Sequence, residues 1–173
     1  MSYKAVTKKL SLRTERRLHF VNITDHVEEV IRNSDILTGF VVVQSHHTTC
    51  SVWVNEDEKN LIGHESIEEH DLMRILDRFA HPEEDYGHND IRDVRNPNGR
   101  RDTHLCYPDD KGVCHECING HAHAQAMILP HSITMIVQDG ALVKGDWQQI
   151  MICELDHDRD REFTVLVQGD SKE

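Results

Sequence analysis

Apolar residues alternate with polar ones in several short segments of the chain, and this period of two predicts β-strands. Val6, Leu10 and Leu12 follow the period and predict a first strand. Alternating or continuous apolar runs predict further strands in HFVNI, FVVVQ, CSVWV, ITMIV, WQQIMICEL and FTVLVQ. ITMIV is followed by Asp139-Gly140, a dipeptide typical of the two-residue turn of a β-hairpin, and then by ALV.

Two other segments, VEEVIR and LMRILDRF, carry apolar residues at helical spacing. A capping-box pair marks the start of each, Asp25 with Glu28 for the first and Ser66 with Glu69 for the second. The pattern therefore predicts two amphipathic helices, with room for a third, and shows no βαβ rhythm.

This combination predicts an α+β, mainly β fold, in which antiparallel or mixed sheets form a β-sandwich-like single domain with two or three helices. The length of 173 residues fits one domain over 1–173. Residues 82–120 are poor in apolar residues and rich in Asp, Asn, Gly, Pro and His. A polar stretch of that length inside a compact domain is usually functional.

The acidic composition limits the partners that the chain can have. Lys and Arg number 19 against 31 Asp and Glu, which gives a net charge of −12. Because phosphates would be repelled, we expect no nucleic-acid partner and no membrane surface. With no 18-residue apolar stretch, no visible secretion signal and five Cys that form no secreted disulfide pattern, a reducing, cytoplasmic setting is expected.

Histidine is unusually frequent, with 14 residues, and indicates metal binding, proton chemistry or a pH response. His46 and His47 enter a strand in HHTTC and would point to opposite faces, so at most one serves a given site; a polar strand end is the alternative. His88 lies two residues before Asp90. That spacing fits a carboxylate that orients a metal-bound imidazole, and it also fits a solvated acidic loop.

The run NGHAHAQA places two more histidines directly after the polar stretch. On a strand His121 and His123 would share a face, whereas on a helix they would diverge by about 200°. The residues leave both arrangements open.

Glu154 is a charged residue behind two apolar positions in WQQIMICEL, where it shares a strand face with Ile150 and Ile152. Its side chain therefore either points into a site, where it is an acid/base candidate, or lies in solvent at the end of the strand.

The segment HLCYPDDKGVCHEC concentrates thiols and imidazoles. Cys114-x-x-Cys117 has the spacing of a zinc knuckle, and His104 with Cys106 would complete the four ligands of a separate structural zinc. Free thiols or a redox pair are the alternatives.

Taken in this order, several motifs resemble the YjbQ family, also called the secondary thiamine-phosphate synthase family. They are HTT at 47–49 followed by VNE at 54–56, Tyr86-x-His88-x-Asp90, the 119–123 run, and DGALVKGDWQQIMICE, whose G-x-W-Q-(five residues)-E ending is the most specific. The resemblance extends over about residues 39–169.

The resemblance implies a β-rich domain that assembles as a homotrimer and has a cleft with a divalent metal, for which zinc is expected. The implied metal ligands are His47, His88 and His123, with His121 in second rank. Three neutral imidazoles leave a position open for water or substrate, as in catalytic zinc sites.

The implied activity is thiamine-phosphate synthesis, in which a pyrimidine pyrophosphate is joined to a thiazole phosphate and pyrophosphate leaves. Glu154 and Asp90 are the candidate catalytic groups, with Glu154 as a base or as a residue that orients a ligand. The small, phosphate-bearing substrate is expected to contact Thr48, Thr49, Asn119, Ser132 and Gln148.

Two departures from the family pattern leave alternatives open. A basic residue is usual two positions after His123, where this chain has Gln125, and the insert at about 91–118 is longer than usual and carries three of the five Cys. A non-catalytic metal- or ligand-binding homotrimer, or a metal-dependent hydrolase of unknown substrate, is therefore the alternative function.

Overall fold

The structure is a computed structural model of the chain, and it describes residues 2–63, 69–90, 104–112 and 116–172. These residues form eight β-strands, four α-helices and two 3-10 turns. In chain order the elements are β1 (Ser2–Arg13), β2 (Phe20–Asn22), α1 (Thr24–Arg32), β3 (Ile36–Ser45), β4 (Cys50–Asn55), α2 (Lys59–Ile62), α3 (Asp71–Phe79), the 3-10 turns Gly87–Asn89 and His104–Cys106, α4 (Gly120–Ala126), β5 (Ser132–Gln138), β6 (Ala141–Leu142), β7 (Gln149–Glu154) and β8 (Asp160–Ser171).

The strands form two sheets. A five-stranded sheet has the order β1-β8-β3-β5-β6, and a three-stranded sheet has the order β2-β7-β4. Neighbouring strands in both sheets pair antiparallel. The predicted mainly β, α+β class is confirmed, and α2 and α4 raise the number of helices in the described residues to four.

Strand β7 is buried on both faces and separates two apolar clusters. Ile150 and Ile152 pack into the core between the two sheets, which α1 also enters. Met151 and Cys153 point the other way, into a second cluster that receives apolar residues from α2, α3 and α4. The helices therefore cover the outer face of the three-stranded sheet, and this packing fixes α4 against the end of β7.

The predicted hairpin between β5 and β6 is confirmed. Asp139 and Gly140 have φ angles of 54° and 74°, as a two-residue turn of the mirror-image type requires. Val137 then pairs with Leu142. The residues of the turn and the pairing of the two strands therefore indicate the same hairpin.

The start of α1 differs from the predicted capping box. Asp25 lies inside the first turn, and the residue before the helix, Ile23, makes no side-chain capping bond. Instead the Asn22 side-chain oxygen accepts the backbone N–H of Thr24, at 3.0 Å. The prediction of Asp25 as the cap is therefore wrong: the N-cap position is Ile23, two residues earlier, and an asparagine outside the helix supplies the acceptor.

The start of α3 also has an unexpected cap. His70 is buried, and its ring nitrogen accepts the backbone N–H of Met73 at 3.2 Å. Ser66, the predicted cap, lies outside the described residues. Among the helices that the structure describes, none is long and apolar enough to cross a membrane.

Strands β3 and β8 place two glycines opposite each other, where Gly39 pairs with Gly169. A Cβ atom on Gly169 would lie 2.1 Å from the carbonyl oxygen of Thr38, and Gly169 has a φ of 152°. We expect Gly169→Ala to lower the free energy of unfolding by about 1–3 kcal/mol, because backbone atoms cannot move aside as a side chain can. Urea denaturation measures this loss.

Gly87→Ala is the matched control, because a Cβ there meets no heavy atom within 4 Å. Equal losses of stability in the two variants would contradict the steric explanation.

Candidate functional site

A polar cavity of about 220 Å³ opens where the chain enters β4, α4 and β8. Five of its residues are predicted site residues that come from separate segments of the sequence. Of the other four, His46 is the histidine whose part in the site the sequence left open, and the remaining three were not predicted. The predicted members are His47, Thr48, Thr49, Asn119 and His123, and the others are His46, Glu116, Arg159 and Arg161.

The start of α4 brings two predicted metal ligands together. The 3-10 turn at Gly87–Asn89 docks on Gly120, where a Cβ would lie 2.5 Å from Tyr86, and the Asn89 side-chain oxygen accepts the Gly120 N–H at 2.9 Å. As a result the rings of His88 and His123 lie with their centroids 4.5 Å apart. A larger residue at position 120 would push the turn, and His88 with it, away from His123.

The helical conformation of α4 settles how its two histidines are arranged. His123 faces the cavity, whereas His121 is buried and does not line it. Burial lowers the pKa of His121, and Arg17 lowers it further. His121, the second-rank ligand, is therefore separated from His123 by the rotation of the helix.

Two hydrogen bonds and one ion pair link side chains from His88 to Arg159. The side-chain oxygen of Asn119 lies 3.1 Å from His88 Nε2, and Asn119 Nδ2 donates to Asp156 at 2.9 Å. Arg159 forms an ion pair with the same oxygen of Asp156, at 2.7 Å. Because Asn119 donates through its nitrogen, its oxygen accepts from His88 Nε2–H, and this bond orients the His88 ring.

His47 is oriented differently from the other two histidines. Its Nε2 accepts the backbone N–H of Glu162 at 2.9 Å. Burial lowers the pKa of His47, and the charge of Arg161 lowers it further. Because Nε2 accepts a hydrogen bond, the ring proton lies on Nδ1. In this arrangement neither nitrogen of His47 offers a lone pair to a metal.

The three histidines therefore fit a metal only in part. His88 and His123 are adjacent, and His88 donates its other ring N–H to an oxygen, as metal-bound imidazoles usually do. His47 would have to release its bond to Glu162. Within the described part of the chain, the residues whose ligand atoms all lie within 4.8 Å of one another are Cys106, Glu116 and Cys117.

Glu154 is fully buried and is occupied by four hydrogen-bond donors. Arg161 donates to both carboxylate oxygens, with Nε at 2.5 Å from Oε2, and the Thr14 hydroxyl and the Asp156 N–H donate at 2.9 Å each. Arg161 also donates to the Thr49 hydroxyl at 3.1 Å. Burial by itself lowers the pKa of Arg161, but the bonds and charge of Glu154 hold it above its usual value.

These bonds bear on the role of Glu154. Four donors occupy both carboxylate oxygens, so no position is open to a proton from a substrate, and the geometry favours the orienting role over that of a base. The group it orients is Arg161, which lines the cavity. Sequence reasoning missed Arg161, although a signal was present: it precedes Phe163, Val165 and Val167 at even spacing, and a charge on an inward strand face needs a buried partner.

His88 and Glu154 do not themselves line the cavity, and neither do three other predicted residues. Ser132 is exposed at the start of β5, opposite Gln44. Gln148 is exposed, and its side-chain oxygen accepts the Gly145 N–H in a local turn. Asp90 is exposed and follows the 3-10 turn that carries His88.

The thiols of the insert are arranged differently from the sequence expectation. Cys106 and Cys117 are joined by a disulfide, with their Cα atoms 5.1 Å apart, although a zinc site, free thiols or a redox pair of neighbouring cysteines were expected. His104 is exposed, and Cys114 lies outside the described residues. The pairing of Cys106 with Cys117 spans a separation of 11 residues, which the C-x-x-C spacing does not indicate.

We expect Glu154→Gln to lower the free energy of unfolding by about 3–5 kcal/mol, because it leaves the buried Arg161 without a counter-charge. Thermal and urea denaturation measure the effect. Glu162→Gln is the control, because Glu162 pairs with Lys9 at the exposed surface, and we expect a much smaller change there. A Glu154→Gln variant as stable as the control would contradict the importance of the pair.

Comparison with known proteins identifies the family. A family model described as UPF0047 protein YjbQ-like matches residues 8–170. A UPF0047 protein of Methanothermobacter thermautotrophicus is 30% identical over 163 residues, which are 94% of this chain and 92% of the relative. The UPF0047 protein YugU of Bacillus subtilis is 25% identical over 162 residues, which are 94% of this chain and 98% of the relative. A crystal structure of a protein of unknown function from Sulfolobus solfataricus is 27% identical, with a TM-score of 0.76 over 98% of this chain and 100% of that one. The match to the family model spans nearly the whole chain, and the chain belongs to the YjbQ (UPF0047) family.

Proposed function

We propose that this chain is a metal-dependent enzyme that acts on a small, phosphate-bearing substrate in the polar cavity. The observation that carries the proposal is that one cavity of about 220 Å³ is lined by His46, His47 and His123 together with two arginines, two threonines, an asparagine and the carboxylate of Glu116. The finer proposal is secondary thiamine-phosphate synthase activity, in which a pyrimidine pyrophosphate and a thiazole phosphate give thiamine phosphate and pyrophosphate.

The two arginines support an anionic substrate in spite of the acidic composition. Arg159 and Arg161 both line the cavity. Gln125, which replaces the usual basic residue, is fully buried, and its Nε2 donates to the carbonyl oxygen of Ala80 at 2.9 Å. Position 125 faces α3 and does not line the cavity. The absence of a basic residue there therefore does not reduce the positive charge of the cavity.

The metal would be held by His88 and His123, and the bond from His88 to Asn119 would orient the first ring. When bound, the metal would neutralise charge that develops on the departing diphosphate. Arg161 is held in place by Glu154, so its remaining donors meet a phosphate without reorganisation.

The proposed reaction does not need Glu154 as a base. The bond between the pyrimidine methylene carbon and the diphosphate oxygen breaks, and the lone pair of the thiazole nitrogen forms the new C–N bond. No proton leaves the nitrogen, because an unsubstituted thiazole nitrogen carries none. The chemical demands are charge stabilisation and orientation, which arginine and hydroxyl donors supply.

One observation favours the non-catalytic alternative, a metal- or ligand-binding trimer. The bond of His47 Nε2 to the Glu162 N–H removes one of the three implied ligands. With His47 held in that bond, the cavity would bind an anion without a three-histidine metal beside it.

The proposed homotrimer has support in the outer face of the five-stranded sheet. Phe40 and Ile136 are directly paired across β3 and β5, and they are 38% and 61% exposed. Val143, which donates its N–H to the Ile136 carbonyl, is 45% exposed. Neighbouring apolar side chains on an open sheet face fit a contact with another copy of the chain.

The activity test combines the two substrates with the purified, metal-loaded protein and measures thiamine phosphate. We expect product to form, to disappear with a chelator and to return with Zn²⁺. His123→Ala should lose bound metal and lower kcat by about 10–100-fold or more, since a metal ligand is removed. Arg159→Gln should raise KM for the diphosphate substrate, with metal content unchanged.

Arg32→Gln is the control for the loss of a positive charge, because Arg32 is exposed on α1, pairs with Glu28 and does not line the cavity. No product from the metal-loaded protein, with diphosphate binding still measurable, would support the non-catalytic alternative. Full metal retention in His123→Ala would contradict the ligand assignment.

The trimer is tested by light scattering on the purified chain. We expect a mass three times the 20.0 kDa of one chain. Ile136→Asp should reduce this mass toward one chain because it places a charge in the apolar contact, whereas Ser11→Asp on the exposed outer strand β1 should not. Identical masses for wild type and Ile136→Asp would place the contact elsewhere.

A further inference from the structure

Cys106, Glu116 and Cys117 form a compact cluster beside the cavity. The two sulfurs and one carboxylate oxygen all lie within 4.8 Å of one another. The cysteines are 2% and 0% exposed, whereas Glu116 is half-buried and lines the cavity. The cluster therefore combines two shielded sulfurs with one carboxylate that reaches solvent.

The backbone holds the cluster together independently of the sulfur–sulfur bond. The Glu116 N–H donates to the Leu105 carbonyl at 2.9 Å, and the Ile118 N–H donates to the Glu116 carbonyl at 3.0 Å. Cys117 has a φ of 76°, in the left-handed region, which turns the chain sharply between Glu116 and Asn119. These contacts would keep the two cysteines close after reduction.

We propose that these three residues form a zinc site that is available only when the disulfide is reduced. Two thiolates and a carboxylate are a donor set that zinc prefers, and three protein ligands leave a fourth position for water or a ligand. Zinc bound to both thiolates at about 2.3 Å would hold the sulfurs about 3.8 Å apart, which rotation of the two side chains can provide. Glu116 would direct the open position toward the cavity.

The switch between the two states is a thiol–disulfide exchange. A dithiol reductant transfers two electrons and two protons, its own sulfurs become a disulfide, and Cys106 and Cys117 become thiols. Zinc then displaces the two thiol protons, while the Glu116 carboxylate binds without losing one. Oxidation reverses the sequence and releases the ion, because a disulfide sulfur is no longer an anionic ligand.

This site differs from the zinc knuckle that the sequence predicts. It includes Glu116, which no cysteine spacing indicates, and does not require Cys114 or His104. It is also separate from the metal site proposed at His88 and His123, because the two sites have no ligand in common. The two sites can therefore be tested separately.

Zinc is counted per chain by mass spectrometry after the protein is reduced with a phosphine or oxidised with diamide, loaded with Zn²⁺ and freed of excess metal. We expect the reduced form to hold one zinc more than the oxidised form. Cys106→Ser and Cys117→Ser should each lose that zinc, and Glu116→Gln should weaken its binding about tenfold or more.

Two further variants separate this site from the other assignments. Cys114→Ser and His123→Ala should both keep the redox-dependent zinc. Co²⁺ in place of Zn²⁺ should give thiolate-to-metal charge-transfer absorption in the reduced wild-type chain, a readout that needs no cysteine variant to fold. Equal metal content in the reduced and oxidised forms, or no thiolate absorption, would overturn the proposal. Loss of the zinc in Cys114→Ser with retention in Glu116→Gln would replace it with the knuckle.

Discussion

The buried ion pair between Glu154 and Arg161 is the interaction on which the arrangement of the cavity depends. Glu154 ends β7 in the three-stranded sheet, and Arg161 is the second residue of β8 in the five-stranded sheet, so the pair joins the two sheets at one end. Thr14 and Thr49 attach the chain after β1 and the start of β4 to the same two side chains. An ion pair is costly to bury, and here four donors on the carboxylate offset the loss of water.

The strands were predictable because their cause is local. The alternation of apolar residues in β1, β3 and β8 reflects one face against a core, and the Asp139-Gly140 turn follows from backbone angles that few residues adopt. Helix ends were less predictable: Asn22 and His70 took the places of the predicted caps, since a cap depends on which side chain lies near the free N–H groups in three dimensions.

The cavity was predictable in part. His47, Thr49, Asn119 and His123 come from motifs that could be read in order, although their convergence depends on packing between segments more than 60 residues apart. Arg161 was missed because a charge near a turn resembles a surface residue until its inward register is noticed. The neighbourhood of Glu116 was beyond sequence reasoning, because it is created by a left-handed turn at Cys117.

Gly120 has a consequence for how this region can vary. Helix α4 begins at this glycine, which touches Tyr86. His123 follows three residues later, so the position of Gly120 sets the direction of its imidazole. One residue inserted between the two positions would turn the ring by about 100° around the helix axis. Residues added before the glycine would leave that direction unchanged, so the chain can lengthen upstream without loss of alignment at the cavity.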